Sequence, residues 1–367
     1  MNCHDTHVEN GTQPTHRVPR RDLVLTELGL GVSQFGNLYR KTTDEEARSA
    51  VGAAWAAGIR YFDTAPHYGL GLSERRIGAL LADRPRREYV LSTKVGRLLV
   101  PSPETAGQRD DQGFDVPAAY RRVWDFSRDG VRRSLDASLQ RLGCDRVDVV
   151  YLHDPDQHWE QASRQGVPAL IELRDQGVIG AVGVGMNRSA MLADYINQCD
   201  IDLVMCANRY TLLEQAALRD VLPAALDRGV GVVIAGVYNS GLLAQNRPAT
   251  NARYDYEAAP DDVVARVHRI ADVCEGYGVT VPAVALAFVR AHPAVIATVV
   301  GARSGFQVDS NVERARTRIP SELWEELRAQ RLLDPDAPVP ADGPPNRRLP
   351  ASPAAATPSQ HQEERTR

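Results

Sequence analysis

Eight short apolar runs recur along the chain, and they constrain its fold more than any other feature. They are Leu28 to Ser33, Ile59 to Asp63, Tyr89 to Lys94, Val147 to His153, Ala181 to Gly185, Leu203 to Ala207, Val230 to Val237 and Ala297 to Gly301. Most are continuous rather than alternating, as parallel strands covered on both faces require. Helical patterns lie between them. Thr43-Asp44-Glu45-Glu46 has capping-box spacing ahead of Ala47, Ala50, Val51 and Ala54, and Gly58 stops that segment. Ser73 is placed to cap Glu74 to Asp83. Ser127 is placed to cap a helix with Val131, Leu135, Leu139 and Leu142 on one face, ended by Gly143. Eight β/α units predict an α/β fold, a (β/α)8 TIM barrel. A doubly wound sheet is the alternative, because strand order is not written in the sequence.

The predicted barrel covers residues 22–333. The polar segment 1–21 and the Pro/Ala-rich segment 334–367 bury too little apolar surface to offset ordering entropy, and both are predicted to be disordered tails. Two connections are long for a compact domain: Gly96 to Phe126 after the third strand, and Asn239 to Pro260 after the seventh. Both are read as loops on the C-terminal face, where lids and binding loops of such barrels lie.

Composition excludes several classes of function. Net charge is -4, from 47 acids against 43 bases, with no basic stripe for nucleic acid. No run approaches the roughly 18 apolar residues of a membrane span. The N-terminal segment lacks the apolar stretch of a secretory signal. Cys3, Cys144, Cys199, Cys206 and Cys274 are scattered, with no metal spacing, and read as reduced thiols. His4, His7 and His16 are read as part of a polar tail, so no metal site is expected. The expectation is a cytoplasmic protein, a monomer or small homo-oligomer, acting on a small molecule.

Lys94 is the residue that first points to chemistry. Among 43 Lys and Arg there are only two lysines, Lys41 and Lys94. Lysine is a compact point charge whose pKa shifts on burial, unlike the permanently charged arginine fork. Lys94 ends the third strand, Asp63 ends the second and His153 the fourth. Reactive groups in a barrel sit at these strand ends, and neighbouring strands are about 4.8 Å apart. Tyr68, five residues past Asp63, can curl over the same rim. Tyrosine is a poor acid or base at neutral pH, since its pKa is about 10. A nearby ammonium is expected to lower that value. Asp63 can compensate the buried Lys94, and His153 can orient a carbonyl or share its proton.

Phe62-Asp63-Thr64-Ala65-Pro66-His67-Tyr68-Gly69, with Ser73-Glu74, Ile77-Gly78, Ser92-Thr93-Lys94 and Leu152-His153, resembles the signature of the aldo-keto reductases over about residues 22–332. The resemblance implies a Tyr68 general acid/base, tuned by Asp63 and Lys94, with His153 positioning the carbonyl. It also implies an extended nicotinamide dinucleotide, NADP or NAD, across the barrel mouth. Asn187 is then a carboxamide contact. Tyr238-Asn239-Ser240-Gly241-Leu242 is similar to the pyrophosphate loop, with Tyr238 also a candidate to stack on nicotinamide. Gly301, Arg303, Gln307 and Asn311 resemble the adenosine-phosphate and adenine site. Ala207, followed by Asn208, stands where many members carry a carboxamide-holding glutamine.

Further segments, among them Gly36-Asn37-Leu38-Tyr39, His153-Asp154-Pro155-Asp156 and Arg209-Tyr210-Thr211-Leu212-Leu213, resemble the bacterial branch of L-fucose (D-threo-aldose) 1-dehydrogenases and pyridoxal 4-dehydrogenases. The implied reaction is oxidation of an aldose at C1 to the lactone. His67, Trp124 and Asp154 are the candidate substrate residues. The alternatives are a reductase for another carbonyl substrate and a cofactor-binding subunit without turnover. Other dehydrogenase classes fit poorly. Gly29-X-Gly31 continues to Gly36, which breaks the G-x-G-x-x-G fingerprint. No Tyr-x-x-x-Lys occurs. Cys144 has no paired base nearby in sequence and is read as structural.

Overall fold

The structure is a computed structural model and describes residues 13–248, 252–255 and 257–340. The chain opens with a hairpin of β1 (Thr15–Arg17) and β2 (Val24–Thr26). β3 (Leu28–Gly31), α1 (Asp44–Ala56), β4 (Tyr61–Asp63), α2 (Leu72–Leu81) and β5 (Val90–Val95) follow. A hairpin of β6 (Arg97–Pro101) and β7 (Tyr120–Trp124) precedes α3 (Arg128–Leu142). Next come β8 (Val149–His153), the single turn α4 (Trp159–Gln161), α5 (Val167–Asp175), β9 (Ala181–Met186), α6 (Ser189–Gln198), β10 (Leu203–Ala207), α7 (Val221–Arg228) and β11 (Gly231–Ala235). A two-residue pair, β12 (Arg253–Tyr254) and β13 (Glu257–Ala258), leads to α8 (Asp261–Gly276), α9 (Val281–Arg290), β14 (Val295–Gly301), α10 (Gly305–Arg316) and α11 (Ser321–Ala329).

Eight parallel strands close into a barrel in the order β3-β4-β5-β8-β9-β10-β11-β14, each beside its predecessor in the chain. The fold is therefore the TIM barrel, and the doubly wound alternative is excluded. Side chains alternate between two cores, as the period of a strand demands. Phe62, Leu91, Val95, Val150 and Leu152 point outward into the layer between strands and helices. Tyr61, Val90, Val149, Tyr151, Met205, Val233 and Val299 fill the interior. Val18 and Leu25 from the β1–β2 hairpin join that interior cluster and plug the N-terminal end.

That hairpin corrects the expectation of a disordered tail through residue 21, because an antiparallel ladder and the buried Val18 order residues 15–18. At the other end, Ala337 is buried and accepts a hydrogen bond from Arg328, so order extends past residue 334. Residues 1–12, with Cys3, His4 and His7, and residues 341–367 lie outside the described residues.

The capping box at Thr43 and Glu46 forms as the spacing predicts, and Ser127 caps α3. Ser73 does not cap α2. That helix starts at Leu72 after Gly71, and the Ser73 hydroxyl donates to the Val32 carbonyl at 2.6 Å. Tertiary contact overrides the local capping pattern there. The connection after β5 is not structureless either, because β6 and β7 pair from Arg97↔Trp124 to Pro101↔Tyr120.

Candidate active site

Strand parity sets the site. Asp63, Ser92, Lys94 and His153 share the inward phase of Tyr61, Val90, Val149 and Tyr151, so their side chains enter the barrel mouth rather than the helical layer. Lys94 is 2% exposed and Asp63 3%. Burying two charges costs several kcal/mol per ion unless geometry and hydrogen bonds compensate. Here they do. Lys94 Nζ donates to Asp63 Oδ2 at 2.6 Å and to the Thr64 carbonyl at 2.9 Å, while Ser92 Oγ donates to Asp63 Oδ1 at 2.6 Å.

Behind the strand, Thr93 faces the other way. Its hydroxyl donates to Glu74 Oε1 at 2.7 Å, and Arg141 Nε donates to Glu74 Oε2 at 2.6 Å. Glu74 thus ties β5, α2 and α3 together. Gly78 lets α2 and α3 touch, since a Cβ there would lie 2.1 Å from the Leu142 carbonyl oxygen. The signature residues Ser73, Glu74 and Gly78 are packing devices that hold the strand carrying Lys94.

Tyr68 reaches the rim on a short turn that rests on Gly36. A Cβ on Gly36 would lie 2.5 Å from the Tyr68 carbonyl carbon. Gly69 has φ +61°, and its Cβ would meet the Gly36 carbonyl oxygen at 2.3 Å. Lys94 Nζ lies 4.8 Å from the centre of the Tyr68 ring. Burial pushes the Tyr68 phenol above its ordinary value, and the Lys94 charge opposes without overcoming it. The expected lowering by lysine is therefore outweighed by desolvation. Lys94 itself is held charged: burial works against the ammonium, and Asp63 and Tyr68 more than offset that.

His153 meets the Tyr68 ring edge-on at a centroid distance of 5.9 Å and the His67 ring at 5.6 Å. Phe114, from the tip beyond β6, meets His67 edge-on at 5.2 Å. Burial, reinforced by the nearby Arg97, Lys94 and Arg122 charges, holds both imidazoles well below their ordinary value, so both are neutral near pH 7. Nδ1 of each histidine is buried without a hydrogen-bond partner among the described residues. His153 Nε2 lies 3.7 Å from Asp154 Oδ2.

The β6–β7 hairpin forms one wall. Arg97 forms an ion pair with Asp154 and stacks 4.3 Å from the centre of the Trp124 indole. Arg122 donates to Asp110 at 2.5 Å and to the His67 carbonyl at 3.0 Å, joining the hairpin to the Tyr68 turn. Asp154 sits at φ +43°, a left-handed conformation Asp tolerates better than most residues, and donates its N–H to the Gly185 carbonyl. Burial raises its carboxyl and the Arg97 charge partly opposes this. Trp124 is 41% exposed. The three substrate candidates therefore lie around one mouth. Phe114 and Arg122 were not singled out from sequence, and only the antiparallel pairing of a distant segment brings them there.

Comparison with known proteins identifies the family. Residues 27–331 match the model of the aldo/keto reductase family. The chain is 47% identical over 314 residues to a D-threo-aldose 1-dehydrogenase from a Pseudomonas species, covering 85% of this chain and 95% of the relative.

The chain belongs to the aldo/keto reductase family.

A pyridoxal 4-dehydrogenase from Microbacterium luteolum is 39% identical, covering 86% of this chain and 96% of the relative. Among solved structures, the aldo-keto reductase AKR11C1 from Bacillus halodurans, a holo form, superposes with a TM-score of 0.68 at 25% identity, covering 88% and 97% of the two chains.

In this aldo-keto reductase the remaining sequence candidates fall after β9, β10, β11 and β14. Asn187 follows β9 and is half-buried. Asn208, after β10, is buried at φ +59°, and its Oδ1 has no partner among the described residues. Gly236, at φ +64°, leaves that oxygen room, since a Cβ would lie 2.3 Å from it. Asn239 is fully buried, donates Nδ2 to the Asn208 carbonyl at 3.3 Å, and its Oδ1 also has no partner among the described residues. Ser240 and Gly241 follow at φ +58° and +98°. Two candidates need correction. Leu242 puts its side chain in the core and its N–H on the Asn239 carbonyl, so it offers neither to a ligand. Tyr238 packs on the core and donates its hydroxyl to Asn311 at 3.1 Å, so it is not among the rings around Tyr68.

Gly301 approaches Gln34 so closely that a Cβ would lie 2.6 Å from Nε2. Arg303 donates to the Thr42 hydroxyl and the Leu38 carbonyl and forms no ion pair among the described residues. Gln307 accepts from the Arg303 N–H at 2.9 Å. Asn311 Oδ1 is taken by Tyr238 and Arg314.

Proposed function

We propose that this aldo-keto reductase oxidises an aldose of D-threo configuration, such as L-fucose, at C1 to the lactone, with Tyr68 as the acid/base. The observation that carries the reading is the buried Asp63–Lys94 pair, 2.6 Å apart, directly beneath the Tyr68 ring. The resemblance to a D-threo-aldose 1-dehydrogenase at 47% identity supports the substrate class.

A nicotinamide dinucleotide, when bound, supplies the hydride acceptor. Among the described residues the buried amide oxygens of Asn208 and Asn239 lack partners, and Arg303 is a cation bonded to neutral oxygens. That donor and acceptor set fits an amide at one end and a phosphate at the other, with Asn187, Ser240, Gly301 and Gln307 alongside. Arg303 is the residue suited to the 2′-phosphate of NADP.

Tyr68 removes the proton of the anomeric hydroxyl as C1 is oxidised. Lys94 stabilises the phenolate, and Asp63 keeps Lys94 charged and in place. His153, a neutral imidazole at the rim, donates to the reacting oxygen. Asp154 and Arg97 offer an acceptor and donors side by side, the pattern that reads neighbouring sugar hydroxyls. Trp124 gives a flat surface for the C–H face of the ring. In the reverse direction Tyr68 returns its proton to the carbonyl oxygen.

Absorbance at 340 nm with purified protein, L-fucose and NAD or NADP tests the reading. Reduction of the cofactor, lost in Tyr68→Phe, is the expected result. No reduction with any D-threo-aldose overturns the substrate assignment. The aromatic edge of His67, Phe114 and Trp124 favours a second reading, a flat aromatic alcohol of the pyridoxal kind, which the same assay with pyridoxal separates.

A further inference from the structure

Three hydroxyls stand in file inside the barrel beneath the Asp63–Lys94 pair. Tyr151 Oη lies 3.0 Å from Tyr61 Oη, Tyr61 Oη lies 3.2 Å from Ser92 Oγ, and Ser92 Oγ lies 2.6 Å from Asp63 Oδ1. All three residues have the inward strand phase and are 0% exposed.

Proton counting gives the file a direction. An ionised carboxylate only accepts, so the Ser92 proton goes to Asp63, at the shortest of its contacts. The geometry also lets the Ser92 hydroxyl donate to Tyr61 Oη at 3.2 Å; with its single proton committed to Asp63, Ser92 Oγ is left to accept from Tyr61, and the Tyr61 oxygen to accept from Tyr151. Burial holds both phenols above their ordinary value, and the Asp63 charge adds to this, so both stay protonated and keep a proton to donate. Donors in series polarise one another and strengthen the last bond.

Packing alone does not call for these hydroxyls. Their neighbours in the interior cluster are Val90, Val149, Met205, Val233 and Val299. A buried phenol costs free energy unless it is hydrogen-bonded, and an apolar ring of the same shape would fill the space at similar stability.

We propose that Tyr61, Tyr151 and Ser92 are positioning residues of the reaction: a one-way file of donors that compensates the Asp63 carboxylate and leaves the Lys94 charge free to act on Tyr68. This rests on the reading of Tyr68 as the acid/base. The groups that face Tyr68 are Lys94 and Asp63 below it, Arg97 and Asp154 across the rim, and the neutral rings of His67 and His153. Asp63 raises the Tyr68 phenol and Lys94 lowers it. Removing donors from Asp63 leaves its negative charge less compensated, so the phenol moves up.

The experiment is the pH profile of alcohol oxidation in Tyr61→Phe, Tyr151→Phe and Ser92→Ala, using any alcohol the wild type turns over. The expected result is a half-maximal pH about one unit higher in Tyr61→Phe and Ser92→Ala, a fall of about tenfold in kcat near pH 7, and an unchanged KM for the cofactor. Tyr151→Phe, one link further away, shifts the profile less and in the same direction. Ser92→Thr, which keeps a hydroxyl, restores the wild-type profile. Ultraviolet titration of the Tyr68 phenolate, referenced to Tyr68→Phe, reads the same shift without substrate. The inference therefore stands or falls separately from the aldose assignment. Folded variants with unmoved profiles and an unmoved phenolate titration overturn it, as does a loss of thermal stability with no change in either profile.

Discussion

Asp63 and Lys94 form their ion pair from out-of-register positions on neighbouring strands. The backbone partner of Asp63 is Ser92, and Lys94 lies two residues further toward the mouth, opposite Tyr151. The long lysine side chain reaches back to Asp63 Oδ2, while the in-register Ser92 takes Oδ1. One carboxylate is thus gripped from two depths, which fixes its orientation as well as its charge.

Breaking this pair should affect stability and activity separately. Lys94→Met leaves Asp63 buried without its cation, at a cost of about 3–5 kcal/mol. Adding Asp63→Asn should recover much of that loss in a urea titration while hydride transfer stays abolished. Activity at the wild-type level in either variant would disprove the role given to Lys94.

The raised Tyr68 phenol sets the pH response. Oxidation needs the phenolate, so kcat/KM for alcohol oxidation should climb toward alkaline pH. Reduction needs the phenol, so it should hold at neutral pH and decline only on the alkaline side. Initial rates in both directions across about pH 6 to 10 give the comparison. An oxidation limb that levels off on the acid side of neutrality would contradict it.

His67 and His153 are neutral in the folded protein, with values held well below the ordinary 6.5. The unfolded chain binds protons at both as pH falls through about 6.5, whereas the folded chain does not. Their neutral burial therefore costs nothing above that pH. Below it, stability falls by up to about 1.4 kcal/mol per pH unit for each histidine until the folded values are reached. Urea midpoints at pH 7.5 and 5.5, set beside those of His67→Leu, should show a shallower acid loss in the variant.

Asp154→Asn keeps the size of the side chain and removes its charge. It leaves Arg97 without its carboxylate beside the mouth. KM for an aldose should rise about tenfold or more, matching the loss of about 1.5–3 kcal/mol for a charge-assisted hydrogen bond. Turnover of a small carbonyl lacking neighbouring hydroxyls should change much less. Equal losses on both substrates would place Asp154 in general support of His153 instead.

Arg303→Ala should raise KM for NADP by about tenfold or more while NAD is affected little, because the guanidinium has no carboxylate partner of its own among the described residues. Equal effects on both cofactors would assign Arg303 to a phosphate that the two share.

The strands of the barrel were readable because parallel strands covered on both faces leave uninterrupted apolar runs, from Leu28 to Gly301. Three residues that meet at the mouth were readable because ionisable groups at the ends of three successive runs are costly without a purpose. What stayed hidden depends on contacts between distant segments. Ser73 satisfies a capping pattern locally, yet the Val32 carbonyl claims its hydroxyl. Arg97 and Trp124 pair across an antiparallel ladder that a run of charged and turn-forming residues conceals. The upward shift of Tyr68 follows from burial, a quantity with no local sequence signal. Tyr61 and Tyr151 were within reach, because counting inward in steps of two from Asp63 and His153 lands on both.

The β6–β7 hairpin separates two jobs that many enzymes mix. Its stem begins one residue after β5 and carries Arg97 and Trp124, while its tip carries Phe114 and no barrel strand. The groups proposed to react belong to the staves of the barrel and to a turn wedged on Gly36. Natural variation or grafting can therefore exchange the tip to re-shape which molecules enter, while the stem stays, because its Arg97 and Arg122 bear on His67, His153 and the Tyr68 turn.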